Sequence, residues 1–182
     1  MISPTAPFPS LPWRDPATGD ILVVIETPRG SQSKYVFDRN FEVFRLKRIL
    51  PRGFCFPVDF GFIPATCAED GDPLDAVVIF DEPLQMGSLV CGKALGVFEL
   101  EQTQSGKTIR NDRIVVLPTA LGRDHKLLSL TDLPHGLLFQ IEHFFIGYAR
   151  QEGKQIVPVG RGDEDRALAI IAAAARHYRK KQ

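Results

Sequence analysis

The chain has 182 residues, 44% of them hydrophobic, with Lys plus Arg and Asp plus Glu both at 22. That length suits one domain able to bury roughly 70% of its unfolded surface. The balanced charge leaves no net field to draw it to nucleic acid or to an acidic membrane. No apolar run approaches the ~20 residues of a membrane helix. The Pro-rich N-terminus, with Asp15 and Asp20, is unlike a signal peptide. Cys55, Cys67 and Cys91 are few, odd in number and without zinc-type spacing, so they are expected to be reduced thiols in a soluble cytoplasmic protein.

In chain order, residues 1–20 carry Pro4, Pro7, Pro9, Pro12 and Pro16 and are expected to form an irregular arm, with a single domain over 21–182. Ile21 to Glu26 is a β-rich run stopped at Thr27-Pro28-Arg29-Gly30. Ser33 to Phe37 and the period-two run Phe41 to Leu46 predict a hairpin turning at Asp38-Arg39-Asn40. Residues 51–66, with Phe54, Phe56, Phe60 and Phe62, predict a compact loop under aromatic cover. A strand is expected over 76–80. Another runs from Gly87 to Leu100 and bends at Gly92 and Gly96. Gln102 to Asp112 reads as a polar loop, and Ile114 to Leu117 as a buried strand ending at Pro118.

After Asp124 the character changes. Asp132 can cap a helix with Pro134 in its first turn, and Leu137, Leu138, Ile141, Phe144, Phe145 and Tyr148 recur at helical spacing. A last helix is expected from about Asp163 to Lys180, acidic at its start and basic at its end, as the helix dipole prefers. Short strands followed by two helices predict an α+β fold, and the glycine bends favour a small closed barrel. His125, His135, His143 and His177 lack ligand spacing. Gly160-Arg161-Gly162-Asp163 could cradle an anion before the last helix, although short glycine turns are common.

The chemistry concentrates in Glu69-Asp70-Gly71-Asp72-Pro73-Leu74-Asp75, where four carboxylates fall within seven residues. Like charges this close raise one another's pKa. Gly71 permits a turn, and Pro73 biases Asp72 toward an extended conformation. A turn there brings Asp70, Asp72 and Asp75 to one point, where hard oxygen donors suit Mg²⁺ or Mn²⁺; the other reading is a solvated acidic turn before a strand. A calcium EF-hand is excluded. Counted from Asp70, that loop wants Gly where Asp75 stands and Glu where Asp81 stands.

Asp70-Gly71-Asp72-Pro73-Leu74-Asp75-Ala76 resembles the signature of the soluble (type I) inorganic pyrophosphatases, Asp-x-Asp-Pro-x-Asp followed by a small or apolar residue. Ile21 to Glu26, Lys34-Tyr35, Arg48, Phe56-Pro57, Phe60 to Pro64, Pro83 to Ser88, His143-Phe144-Phe145 and Tyr148 extend the likeness over about residues 21–150. The resemblance implies a five-stranded closed β-barrel of oligonucleotide-binding (OB) type with two flanking C-terminal helices. It also implies pyrophosphate as substrate, hydrolysis to two phosphates with several Mg²⁺ ions (Mn²⁺ or another divalent ion being possible), and a homo-oligomer, usually a hexamer in bacteria. By the same resemblance Asp70 and Asp75 hold the activating metals, Asp72 orients or deprotonates the water, and Glu26 serves a substrate-borne metal. Lys34, Arg48, Arg113 and Tyr148 hold phosphate oxygens.

The sequence departs from the family where Val36 replaces a glutamate, and where Phe56 and Phe60 replace tyrosines. Gln102, Thr103 and Asn111 replace acidic residues, Arg113 replaces a lysine, and Ala149 replaces a basic residue. Asn111 bears hardest on metal binding, because an amide oxygen supplies no charge; Asp112 could compensate only through a loop or bulge. Two readings follow: a metal-dependent pyrophosphatase, or a protein of that fold without efficient turnover that binds phosphate compounds or serves in an assembly. Oligonucleotide binding has little support, since the aromatic residues cluster beside an acidic turn that repels phosphates.

Overall fold

The computed structural model describes Phe8, residues 11–121, Leu127 and residues 129–181. Most of the Pro-rich arm before Leu11, together with Asp124 and His125, lies outside the described residues. The strands are β1 (Ile21–Thr27), β2 (Ser33–Asp38), β3 (Val43–Ile49), β4 (Asp59–Phe62), β5 (Asp75–Val78), β6 (Leu89–Gln104), β7 (Lys107–Arg110), β8 (Arg113–Pro118) and β9 (Gln155–Gly162). The helices are α1 (His135–Gln151) and α2 (Glu164–Lys181).

Five strands close a ring. β1 pairs with β4, β4 with β5, β5 in parallel with β8, β8 with β6, and β6 returns to β1. The expected closed five-stranded, α+β arrangement is present as this ring with the two C-terminal helices. β2 and β3 form a separate hairpin, as the alternation of Phe41 to Leu46 predicts, although β3 begins two residues later and runs to Ile49.

β1 is apolar except at its end and buried at every position, because both its faces are covered. β5 beyond Asp75 and β8 apart from Leu117 are buried likewise. Val77 and Val115 pack with Phe56, Phe60 and Phe98 against Leu138, Ile141, Phe144 and Phe145 of α1. Ala76, Val78, Ile114 and Val116 face the other way, toward Ala167, Ile171 and Ala174 of α2. Period-two alternation therefore splits one run of apolar residues between two cores.

The bend expected in β6 occurs at Gly96, whose φ is 151° and where the register with β8 shifts. A Cβ there would lie 2.4 Å from the Gly162 carbonyl oxygen, so only glycine lets β9 approach β6 this closely.

Four expectations are corrected. The aromatic segment 51–66 contains β4, which completes the ring, and the polar loop 102–112 is a hairpin of β6 and β7 turning at Ser105 and Gly106. Gly160-Arg161-Gly162 belongs to β9, with Gly160 in register with Glu99. A carboxylate thus stands beside the supposed anion cradle. Asp132 closes a 3₁₀ turn, accepting the Ser129 backbone N–H at 2.8 Å, and α1 starts after Pro134. The last helix forms as expected, over Glu164–Lys181, and Asp163 caps it: its Oδ1 accepts the Arg166 N–H at 2.9 Å.

Candidate active site

The acidic turn is held by its own backbone and by Thr66. Ala68 N–H donates to the Asp72 carbonyl at 2.7 Å, Gly71 N–H donates back to the Ala68 carbonyl at 3.1 Å, and Asp72 N–H donates to Asp70 Oδ1 at 3.1 Å. Thr66 Oγ1 accepts Leu74 N–H at 2.9 Å and donates to the Ile63 carbonyl at 2.6 Å. Gly71 adopts the positive φ, 92°, that the turn demands. Asp70, Asp72 and Asp75 all open on one cavity of about 450 Å³, as the sequence predicts. Burial pushes the Asp70 carboxyl upward, and the charges of Asp75 and Asp72 add to the shift.

Glu26 and Lys34 form the floor. Lys34 Nζ lies 3.3 Å from Glu26 Oε2, and Glu26 Oε1 accepts the Phe37 backbone N–H at 2.7 Å. The ammonium also stands 3.7 Å from the centroid of the Phe60 ring and 5.6 Å from that of Phe56. Two phenyl rings in place of phenols therefore give the lysine apolar faces carrying negative charge density instead of hydroxyls. Burial drives the pair apart from its ordinary values, raising Glu26 and lowering Lys34, while their mutual attraction opposes both shifts. Val36 lines the same cavity and brings no carboxylate there, whereas Asp38 on the same face of β2 does.

Across the cavity, Arg113 is buried and its Nη1 lies 2.8 Å from Asp75 Oδ2. The same nitrogen donates to the Asn111 carbonyl at 2.7 Å, to Asn111 Oδ1, and to the Asp112 carbonyl at 3.2 Å. Asn111 Nδ2 donates to Gln102 Oε1 at 2.9 Å, and both amides line the cavity. Asp112 is turned away: its Oδ1 accepts Leu100 N–H at 2.9 Å and pairs with Arg110 at 2.8 Å. Asn111, not Asp112, therefore faces the acidic turn, and no bulge shifts the register. Thr103 points elsewhere, bonding Thr108 Oγ1 at 2.8 Å.

Tyr148 and Ala149 bring α1 to the rim. The Tyr148 hydroxyl donates to Glu152 Oε1 at 2.9 Å, and burial followed by the Glu152 charge holds the phenol well above its usual range. Lys154 lies 3.2 Å from the same carboxylate. Arg48 is not among the residues lining the cavity; its Nη1 donates to the Gln151 carbonyl at 2.6 Å and its Nε is 4.0 Å from Glu152. The hairpin instead presents Arg39, Arg45 and Lys47 to the cavity. Sequence reasoning missed these three and Glu152. Arg45 and Lys47 share one face of β3 by alternation, and that spacing was the available signal.

The oxygen donors that the acidic turn itself brings to the cavity are carboxylates, the hard oxygen chemistry that suits a small divalent cation. Among the described residues no three His, Cys, Asp or Glu side chains converge to ligate an ion as the chain stands. Asp75 is engaged by Arg113 and Glu26 by Lys34. The chemistry of the donor set fits a divalent ion.

The profile of the family described as inorganic pyrophosphatase matches residues 23–179. An inorganic pyrophosphatase of Synechocystis is 36% identical over 164 residues, covering 90% of this chain and 95% of the relative. One from Thermus thermophilus is 35% identical over 173 residues, covering 93% and 97%. The crystal structure of inorganic pyrophosphatase from Thermus thermophilus superposes with a TM-score of 0.85 at 33% identity, covering 96% of this chain and 99% of that one. That from Helicobacter pylori gives 0.79 at 30% identity, covering 88% and 94%.

Proposed function

The chain belongs to the inorganic pyrophosphatase family, and on that premise we propose that it hydrolyses inorganic pyrophosphate to two phosphates in the cavity framed by the acidic turn, Lys34 and Arg113. The observation that carries the assignment is the joint opening of Asp70, Asp72 and Asp75 on one cavity with Lys34 and Arg113 on its other walls. Carboxylates on one side and cations on the other suit a polyanion that arrives with divalent metal.

In this reading Asp70 and Asp75 hold divalent cations, Mg²⁺ or Mn²⁺ by their preference for carboxylate oxygen, and Glu26 serves one carried by the substrate. Such ions neutralise phosphate oxygens and lower the pKa of the attacking water. Asp72 is the general base. Its carboxylate lines the cavity and lacks an ion-pair partner among the described residues, so it can accept the water proton as oxygen attacks one phosphorus. The bond from that phosphorus to the bridging oxygen breaks, and the leaving phosphate departs with the electron pair. Lys34 and Arg113 hold the negative charge that develops there, Arg113 with a guanidinium suited to more than one oxygen. Tyr148 contributes from the rim. Arg48 serves from outside the cavity lining, after leaving the carboxyl end of α1.

The substitutions at Val36, Gln102 and Asn111 thin out acidic donors without touching Asp70, Asp72 or Asp75, so the reading without turnover is not favoured. No helix among the described residues is long and apolar enough to cross a membrane, and a cytoplasmic homo-oligomer, a hexamer by family likeness, completes the proposal. Exposed Val157 and Val159 on β9 and Phe139 on α1 are apolar surface such an assembly could cover. Light scattering at the single-chain mass of 20.3 kDa would contradict it. Phosphate release from pyrophosphate with Mg²⁺ tests the activity itself.

A further inference from the structure

Gln102, Asn111 and Arg113 stand together on one wall of the cavity, and none is more than 8% exposed. The sheet fixes where they stand. Gln102 lies on β6 between β7 and β9, in register with Ile109 and Ile156, and follows Phe98 and Leu100 on the inward face by alternation. Asn111 is tied by its own N–H, which donates to the Leu100 carbonyl at 2.9 Å.

The hydrogen bonds along this wall have a direction. Arg113 can only donate, so the Asn111 side-chain atom that meets its Nη1 is the oxygen, Oδ1. That turns Asn111 Nδ2 toward Gln102, where Oε1 receives it at 2.9 Å. Gln102 Nε2 is then left with both N–H groups unpartnered among the described residues. The contacts made by Arg113 fall on Nη1, which leaves Nη2 open, and its buried Nε has no hydrogen-bond partner.

On the pyrophosphate reading of this cavity, we propose that Gln102 is a phosphate-binding residue, turned by Asn111 as its positioning residue, so that this wall takes a phosphoryl group directly on N–H donors and not through a divalent ion. A carboxylate at position 102 or 111 offers acceptors alone, so it holds a cation and repels phosphate oxygen. An amide of nearly the same shape offers a donor. Amides where the family has acids therefore invert the polarity of the wall, from one that holds cations to one that holds anions. Arg113 supplies its charge, and donors nearly closed off from water bind a charged oxygen more strongly than exposed ones do. An amide that served Asn111 alone would leave its own nitrogen idle at a buried position, which folded chains avoid.

The test is calorimetric titration of imidodiphosphate, whose bridging nitrogen resists hydrolysis, into the whole chain with EDTA present, so that no divalent ion takes part. The parent chain is expected to bind. Gln102→Glu still accepts Asn111 Nδ2 but cannot donate, and is expected to bind about tenfold or more weakly. Gln102→Met, which is uncharged, is expected to bind more weakly than the parent as well, which separates the lost donor from the added charge. Mn²⁺ titrated without the analogue and followed by the EPR signal of the free ion should bind Gln102→Glu more tightly than the parent, a change that a merely structural role for Gln102 does not produce. Both variants binding the analogue as tightly as the parent, or a parent that does not bind it without a divalent ion, overturns the assignment. If neither variant folds, the side-chain amide resonance of Gln102 in the ¹⁵N-labelled parent decides: it shifts with the analogue if Nε2 donates, and an unmoved resonance overturns the assignment. Phosphate release from pyrophosphate with Mg²⁺ is measured on the same parent. Release alongside any of those negative results leaves the pyrophosphatase reading standing, whereas no release overturns the reading on which the assignment rests.

Discussion

Arg113 and Asp75 face each other across the parallel pair β5 and β8, with Nη1 2.8 Å from Oδ2. A buried guanidinium whose carboxylate partner is removed keeps its desolvation cost and loses its compensation. Asp75→Asn is therefore expected to lower stability by about 1–3 kcal/mol, less than a fully buried pair because Asp75 is partly open to the cavity. The midpoint of urea unfolding at neutral pH measures it. An unchanged midpoint would mean the pair adds nothing to the resting fold.

Lys34 and Glu26 should behave as a unit. Lys34→Met strands a buried carboxylate and is expected to cost about 3–5 kcal/mol, the range for breaking a buried pair from one side. Adding Glu26→Gln should return a large part of that loss, since the amide can still accept the Phe37 N–H. A double-mutant cycle by chemical denaturation checks this, and strictly additive losses would show that the two side chains do not act together.

Asn111 and Asp112 separate metal binding from folding. Asn111→Asp places a carboxylate on the cavity wall opposite the acidic turn and is expected to raise Mn²⁺ affinity about tenfold or more. Asp112→Asn removes the charge that pairs with Arg110 and weakens the acceptor for Leu100 N–H, which should cost about 1–3 kcal/mol with metal affinity unchanged. Titration calorimetry and thermal unfolding on both variants read the two effects. The opposite pattern would place Asp112 at the metal.

Glu99 gives a pH signature away from the cavity. Hydrogen bonds and charge from Arg166, with help from Arg110, hold its carboxyl below the usual range against a smaller effect of burial. A depressed folded pKa contributes stability that is fully present above the unfolded value near 4.5 and fades as pH falls through the folded value. The parent chain should therefore be more stable than Glu99→Gln at pH 7, with the difference shrinking below about pH 4. Unfolding midpoints at pH 7 and at pH 3.5 test the sign. A gap that widened in acid would contradict it.

Local chemistry made much of this readable from sequence. Gly71, Pro73 and the spacing of Asp70, Asp72 and Asp75 define a turn whose hydrogen bonds close within the segment, and the even burial of β1 follows from its apolar run. The place of Arg48 outside the cavity lining was not readable in the same way. The register of β2 and β3 shifts between Lys34 and Tyr35, and which way a long side chain leaves such an irregularity depends on the end of α1, about a hundred residues later. The Arg113–Asp75 contact needed the parallel pairing of β5 with β8, which no run of residues in either strand discloses. β4 was hidden because Phe60-Gly61-Phe62 sits among prolines and glycines and alternates over only four residues. Glu152 was missed because its partners, Tyr148, Lys154 and Arg48, come together only where α1 ends.

The central claim is that this cavity hydrolyses pyrophosphate with Asp72 as the base, and the direct measurement is phosphate released from pyrophosphate by the purified chain and by Asp72→Asn. With Mg²⁺ the parent chain should release phosphate steadily, and Asp72→Asn should fall by about 10²–10⁴-fold, the usual contribution of a positioned base. No release above background with Mg²⁺, Mn²⁺, Co²⁺ or Zn²⁺, or an Asp72→Asn variant as fast as its parent, would contradict it.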